Sequence, residues 1–462
     1  MKLFIVLLTG AFMLATGTSD VFAKKKEKVQ TEAKSDTVRT ASKKRNTQYP
    51  RLFKNKRVVT KKGLITIHKI DDKLYFEFPK SLLGREFLMG SSISATSDNT
   101  SGLVGQTMTT PLHIRFAIQE DQVYMQNVTP VSRMDVYSNQ SDISKAVAKS
   151  NITPDMESFK IAAYNMDSTA VVFEVTKFFL ADNKRLPLFD QNSSSLEDEK
   201  YGQLELKAVL KKNLSSIRNF YVFDDNLEIN LDMSFYQSLL ASKKEVRGGN
   251  VRVKAVYSML LLPEETMVWR LGDPRLGYTF TKKQKISTEK DGTAFSYLQH
   301  KWNLLPADEE AYRRGDLVAP RKPVVFYIDS DFPEAWKKAI KEGVNWWNEA
   351  FKMAGFKDAV QTADFPANDT TFYAGNLKYS CIRYVPVNLS KTQSKVWVDP
   401  RSGEIINGTI FVGHDIAKTI ASQRFVQTAQ VDERMRGIQL SEEVLLEGIR
   451  LYVAREVGHC LG

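Results

Sequence analysis

Cysteine is nearly absent from this chain: its 462 residues include two, Cys381 and Cys460. Two cysteines cannot make a disulfide framework, so an apolar core must hold the fold. Lone cysteines are commonly buried small apolar residues, and no bond between these two is expected. Long apolar runs are also missing once the first residues are passed. No later stretch could cross a bilayer, so no transmembrane segment is expected. A basic excess is missing everywhere but one place. Positions 24–62 carry 15 Lys and Arg against 3 Asp and Glu, positions 1–23 carry one of each sign, and the remaining 400 carry 49 against 50. Without a basic face the folded part gives no support to nucleic-acid binding. No fixed-period repeat is found, which sets aside solenoids and propellers.

What is there suits a soluble protein of two to four domains, at 42% hydrophobic and 26% charged residues. Met1-Lys2, the apolar run Leu3 to Ala15 and the small residues around Val21-Phe22-Ala23 read as a secretory signal peptide over 1–23. The protein is therefore expected to be exported: periplasmic, at the cell surface or secreted. Residues 24–62 read as a basic disordered tail.

From Gly63 the chain alternates. Ile65 and Ile67, then Leu74, Phe76 and Phe78, form a hairpin pattern around Asp71-Asp72, expected to be a small β-hairpin domain over 63–95. Ser91 to Gly105 reads as a loop. A β-rich domain is expected over 106–290, with strands at Leu112–Ile118, Val123–Val128, Ala170–Val175, Leu227–Met233 and Val251–Leu262. After about residue 300 the texture becomes mixed α/β. Pro323–Asp329, Tyr379–Val385 and Ile410–Val412 read as strands. Trp336, Ile340, Val344, Trp347, Phe351 and Ala354 recur at helical spacing, with Gly355 as the stop.

The last eight residues carry the chemistry. Arg455-Glu456-Val457-Gly458-His459-Cys460-Leu461-Gly462 falls on the pattern H-E-x-x-H-x-x-G-x-x-H, with Arg455 at the first histidine. Residues i and i+4 share one helix face, so two histidines there can both reach one Zn²⁺. The adjacent glutamate can take a proton from zinc-bound water. Glycine permits the turn that returns a third ligand to the metal. Ser441 with Glu442-Glu443 makes a plausible helix start, and Leu445, Ile449, Tyr452 and Val453 its apolar stripe.

Several further segments resemble, in order, a family of exported zinc-dependent metalloproteases of Bacteroidota-type bacteria. In that family two domains of unknown function precede a metzincin-like catalytic domain. Gly63–Leu83 resembles the first, and Phe159–Leu186 the second, especially Tyr164-Asn165 and Asp167–Ala170. Asp273–Tyr278 resembles the link that follows. Gly343–Phe351, Ala354-Gly355-Phe356 and Asp399–Ile405 resemble the protease domain before its active-site helix. The resemblance implies a multidomain fold: β-rich N-terminal domains, then the upper part of an α/β (α+β) metzincin-like catalytic domain over 300–462. It implies a zinc-dependent metalloendopeptidase acting on a peptide or protein, with Glu456 as catalytic general base, His459 as a metal ligand and Gly462 at the turn. It also suggests the strand around Ile410–Val412 as the edge to which a peptide adds.

Two departures cut against activity. Arg455 stands at a degenerate metal-ligand position, because a guanidinium stays cationic and cannot ligate zinc. The third ligand would lie beyond Gly462, so the recorded chain reads as truncated at its C-terminus. The chain as written is therefore expected to bind no catalytic zinc and to be inactive. The competing expectation is a non-catalytic pseudo-protease, an exported protein that binds peptides or surface partners.

Overall fold

The computed structural model describes residues 48–462 except 100, 101, 106, 130–133, 137–140, 191–195, 199, 201, 287–292, 370, 371, 388–391 and 438. The signal-peptide reading over 1–23 and most of the tail lie outside the described residues. Among the described residues no helix is long and apolar enough to cross a membrane.

The tail does not stay unstructured to residue 62. Helix α1 (Tyr49–Phe53) and strand β1 (Val58–Lys62) are formed. Tyr49, Leu52 and Phe53 pack against Ile70, Tyr75 and Val172, and the Tyr49 hydroxyl donates to Glu77 Oε2 at 2.6 Å. The lysines and arginines around them hid three apolar anchors.

β1 begins a large, mainly antiparallel sheet. Its next strands are β2 (Thr66–Ile70), β3 (Lys73–Pro79), β4 (Glu86–Thr96), β5 (Leu112–Gln119) and β6 (Gln122–Asn127). After β7 (Met134–Val136), which lies elsewhere, come β8 (Asp155–Tyr164), β9 (Ala170–Glu174), β10 (Leu196–Asp198) and β11 (Gly202–Leu210). β12 (Ser216–Val222), β13 (Asn226–Ala241) and β14 (Lys244–Leu261) complete it. The order is β1-β2-β3-β9-β8-β6-β5-β4-β14-β13-β11-β10, with β12 on β13.

That order joins what the chain's composition separates. The 63–95 hairpin is not a free unit: β3 pairs with β9, and β4 pairs with β5 and β14. Ile67, Phe76, Phe116, Phe173, Phe235 and Tyr257 share one buried cluster. Strand alternation supplies it, since Leu227, Ile229, Leu231, Met233 and Phe235 point to one face of β13 and are all buried. The expected loop at Ser91–Gly105 is strand as far as Thr96, because Ser91, Ser92 and Ile93 pair with Tyr257, Val256 and Ala255. Serines report polarity, and backbone pairing does not depend on it.

A hairpin of β15 (Phe280–Ile286) and β16 (Thr293–Gln299) follows, with β7 parallel to β15. The third sheet has β17 (Val324–Ile328), β18 (Val360–Asp364), β19 (Ser380–Val385), β20 (Thr392–Asp399) and β21 (Glu404–Gly413). Its order is β18-β17-β19-β21-β20, parallel except for β20.

One face of this sheet is covered by α2 (Glu334–Asn345), α4 (Ile416–Thr428) and α5 (Glu442–Leu461). Phe326, Ile340, Val344, Ile382, Ile410, Ile420, Ile449 and Val457 fill the space between. The helical run from Trp336 is two helices, α2 and α3 (Trp347–Met353), with Trp346 between them. Trp346 lies half-exposed under the Arg450 guanidinium, 5.6 Å from ring centre. Trp347 turns inward and its indole N–H donates to Ala454 O at 2.7 Å. Gly355, at φ +88°, follows α3 as expected of a helix stop.

Candidate active-site cleft

Helix α5 is built as its residues suggest. The Ser441 hydroxyl accepts from Val444 N, and Glu442 and Glu443 stand in the first turn. Glycines let it press close to its neighbours. A Cβ on Gly448 would lie 2.4 Å from an Ile420 methyl, and one on Gly458 would lie 2.5 Å from the Trp347 ring. Its C-terminal carbonyls, which no helical N–H can reach, are taken up from outside. Trp302 Nε1 donates to Cys460 O at 2.9 Å, and Thr279 N donates to Gly462 O at 3.0 Å. Gly462 has φ +98°, and a Cβ there would meet His300 O at 2.3 Å.

The residues singled out on this helix divide into exposed and buried. Arg455 is exposed. Glu456 is buried, 4% exposed, and the Arg455 guanidinium donates to its Oε1 at 3.3 Å. His459 is exposed and lines a cleft of about 650 Å³. Cys460 and Cys381 are free and buried, and burial raises both thiols, Cys381 to about 12. Neither is available as a thiolate.

The cleft lies beside the edge strand β20. Val396 and Val398 form one wall, and Leu88, Pro111, Phe280 and Phe295 add apolar surface. Two further histidines, His113 and His300, line it with His459. Sequence reasoning missed both, since nothing near them in the chain marks them. His300 Nε2 is 2.9 Å from Thr281 Oγ1, and burial pushes its imidazole down to about 4. It is therefore neutral at physiological pH.

His113 Nε2 is 2.9 Å from Glu86 Oε2, and Arg401 lies 3.6 Å from the same oxygen. Burial works to raise the Glu86 carboxyl, but His113, Arg401 and Arg115 outweigh it and hold it below the usual range. Arg401 in turn clasps the fully buried Asp399 and donates to Pro263 O. The Asp399–Gly403 turn is thus an ionic rivet between β20, β4 and the segment after β14.

The strand around Ile410–Val412 is not an edge. It belongs to β21, which pairs with β19 on one side and β20 on the other. The sheet ends on β18 at one side and on the antiparallel β20 at the other, and β20 is the edge beside the cleft. Along it the side chains alternate, so Val396 and Val398 face the cleft while Lys395 and Trp397 face away.

These residues do not fit a zinc ion. Arg455 supplies a permanent positive charge where a ligand is needed, and its nearest acceptor is the carboxylate expected to act as base. Among the described residues no group of three or more His, Cys, Asp or Glu is placed to hold a metal.

Comparison with known proteins reaches the part of the chain ahead of this helix. Residues 47–96 match a domain of unknown function (DUF5118), and residues 105–307 match a second domain of unknown function (DUF5117). No curated protein and no solved structure matches the chain. The first match covers β1 to β4, and the second runs from before β5 through the β15–β16 hairpin. The chain therefore carries similarity to two domains of unknown function in tandem, ahead of the sheet and helix that bring His459 to the cleft.

Proposed function

We propose that this chain is an exported protein of the metzincin metallopeptidase type. Its cleft takes an extended peptide along β20, and with Arg455 in place it holds the peptide without zinc-dependent hydrolysis. The observation that carries this reading is the position of β20. It is the antiparallel edge of its sheet, and it borders a cleft whose floor includes His459. An edge strand presents unpaired N–H and C=O groups, and an extended peptide satisfies them by adding a strand. Apolar contacts to Val396, Val398, Phe280 and Phe295 would select among side chains.

Neutral His300, with Thr281 beside it, offers hydrogen-bonding groups to a peptide backbone within the same cleft. Phe280, Thr281 and Phe295 of the β15–β16 hairpin line the same cleft as β20, and they lie within the segment that matches the second domain of unknown function. The enzymatic reading draws on the exposure of positions 455 and 459. Both stand one turn apart on the open side of α5, where a histidine at 455 would have His459 as its neighbour.

The test uses the purified full chain and a library of fluorescent unstructured peptides. Saturable binding is expected by anisotropy, with no cleavage products by mass spectrometry. Val398→Asp should weaken binding about tenfold, because it places a charge against the bound backbone and apolar side chains. Zinc-dependent cleavage by the unaltered chain would overturn the non-hydrolytic part. Wild-type affinity in Val398→Asp would remove the cleft from the proposal.

A further inference from the structure

The other face of the third sheet carries a second chamber, of about 310 Å³. It lies where β19, β20 and β21 meet β4, β13 and β14, so neither sheet forms it alone. Two cations line it. Arg383 on β19 lies over the Phe411 ring at 5.7 Å, and Lys395 on β20 lies over Trp397 at 5.0 Å. Neither makes a hydrogen bond or an ion pair with any described residue.

The chamber's carboxylate, Glu228, is hydrogen-bonded to two uncharged neighbours in the same lining. It is 4% exposed, and its Oε1 accepts from the Tyr373 hydroxyl at 2.5 Å and from Asn230 Nδ2 at 2.8 Å. Gly375 packs directly on it, where a Cβ would lie 2.2 Å from Oε2. Burial pushes the Lys395 ammonium down to about 8, with the Glu228 charge opposing that shift. Among the described residues that line the chamber, two cations face a single carboxylate that bonds to neither, so part of their desolvation is not repaid. A ligand that supplies the missing charge would recover that cost. Phe372, Tyr373 and Trp397 also line the space, giving flat apolar walls.

We propose that this chamber binds a small organic anion, with its carboxylate or phosphate group between Lys395 and Arg383 and its apolar body against Tyr373 and Trp397. The site is independent of the peptide cleft and survives if that reading fails. It shares β20 with the cleft: Lys395 and Trp397 face the anion, and Val396 and Val398 face the peptide.

Two probes are used on the full chain, benzoate and inorganic phosphate, by isothermal titration calorimetry. Saturable one-to-one binding of at least one is expected, and which one binds identifies the headgroup. Lys395→Met and Arg383→Met should each weaken it about tenfold or more, the usual effect of losing a charge-assisted hydrogen bond. Circular dichroism checks that each variant is folded. A second readout needs no variant. Acetylation of Lys395 by acetic anhydride at pH 8, followed by peptide mass spectrometry, should slow when the binding probe is added. The proposal is overturned if neither probe binds saturably, if both variants keep wild-type affinity, or if the probe leaves Lys395 acetylation unchanged.

Discussion

Gly343 and Arg450 touch backbone to backbone: a Cβ on Gly343 would come within 2.5 Å of the Arg450 carbonyl oxygen. The contact sets how closely α2 and α5 approach, and α5 carries His459. Gly343→Ala must push the helices apart. The expected loss is about 1–3 kcal/mol, the usual range for overpacking a tight contact. Urea unfolding at neutral pH checks it. An unchanged midpoint and slope would mean that the helices are not pressed together at this point.

Arg455 is the partner that the buried carboxylate of Glu456 has in this structure. Removing it leaves a buried charge without compensation, so Arg455→Ala should destabilise the fold by about 1–3 kcal/mol even though Arg455 is exposed. Glu456→Gln in the same background should return part of that loss. Equal stability of Arg455→Ala and the unaltered chain would show that the pair contributes nothing.

Arg455→His changes a repelling position into a ligating one. With His459 one turn away, the variant should bind zinc at least about tenfold more tightly than the unaltered chain, by competition with a chromogenic chelator. Zinc affinity equal to that of the unaltered chain would mean that positions 455 and 459 do not converge.

His300 gives the protein an acid-side dependence whose sign is set by its depressed pKa. The folded chain holds it neutral down to about pH 4, whereas an unfolded histidine protonates near pH 6.5. Between those values the unfolded state binds more protons, so stability is full above about 6.5 and falls as the pH drops toward 4. Partial exposure limits the loss to about 2 kcal/mol. Melting curves across that range should flatten in His300→Gln relative to the unaltered chain, and identical slopes would remove His300 as the cause.

Local patterns were readable where one short segment decides its own conformation. The alternation of Leu227, Ile229, Leu231 and Met233 marked β13, and the face it buries is the face observed. Ser441 marked the start of α5, and its hydroxyl caps that helix. Segments whose structure depends on a distant partner were not readable. Ser91–Ile93 looked like loop because its strand partner, Ala255–Tyr257, lies more than 150 positions away. Ile410–Val412 was readable as a strand, but its interior position depends on β19 and β20 flanking it.

The sequence by itself determined several strands, among them β13 and β19, the helix α5 with its Arg455-Glu456-x-x-His459 spacing, and the permanent charge at 455, because these follow from residue chemistry and periodicity. Tertiary structure alone decided that one sheet spans two apparent domains, that β20 forms the antiparallel edge of its sheet, and that His113 and His300 join His459 in one cleft. It also decided that Lys395 and Arg383 share a chamber. Each of these is a meeting of side chains far apart in the chain. Such meetings are set by backbone pairing and core packing summed over the whole fold, and they leave no mark in the residues beside them.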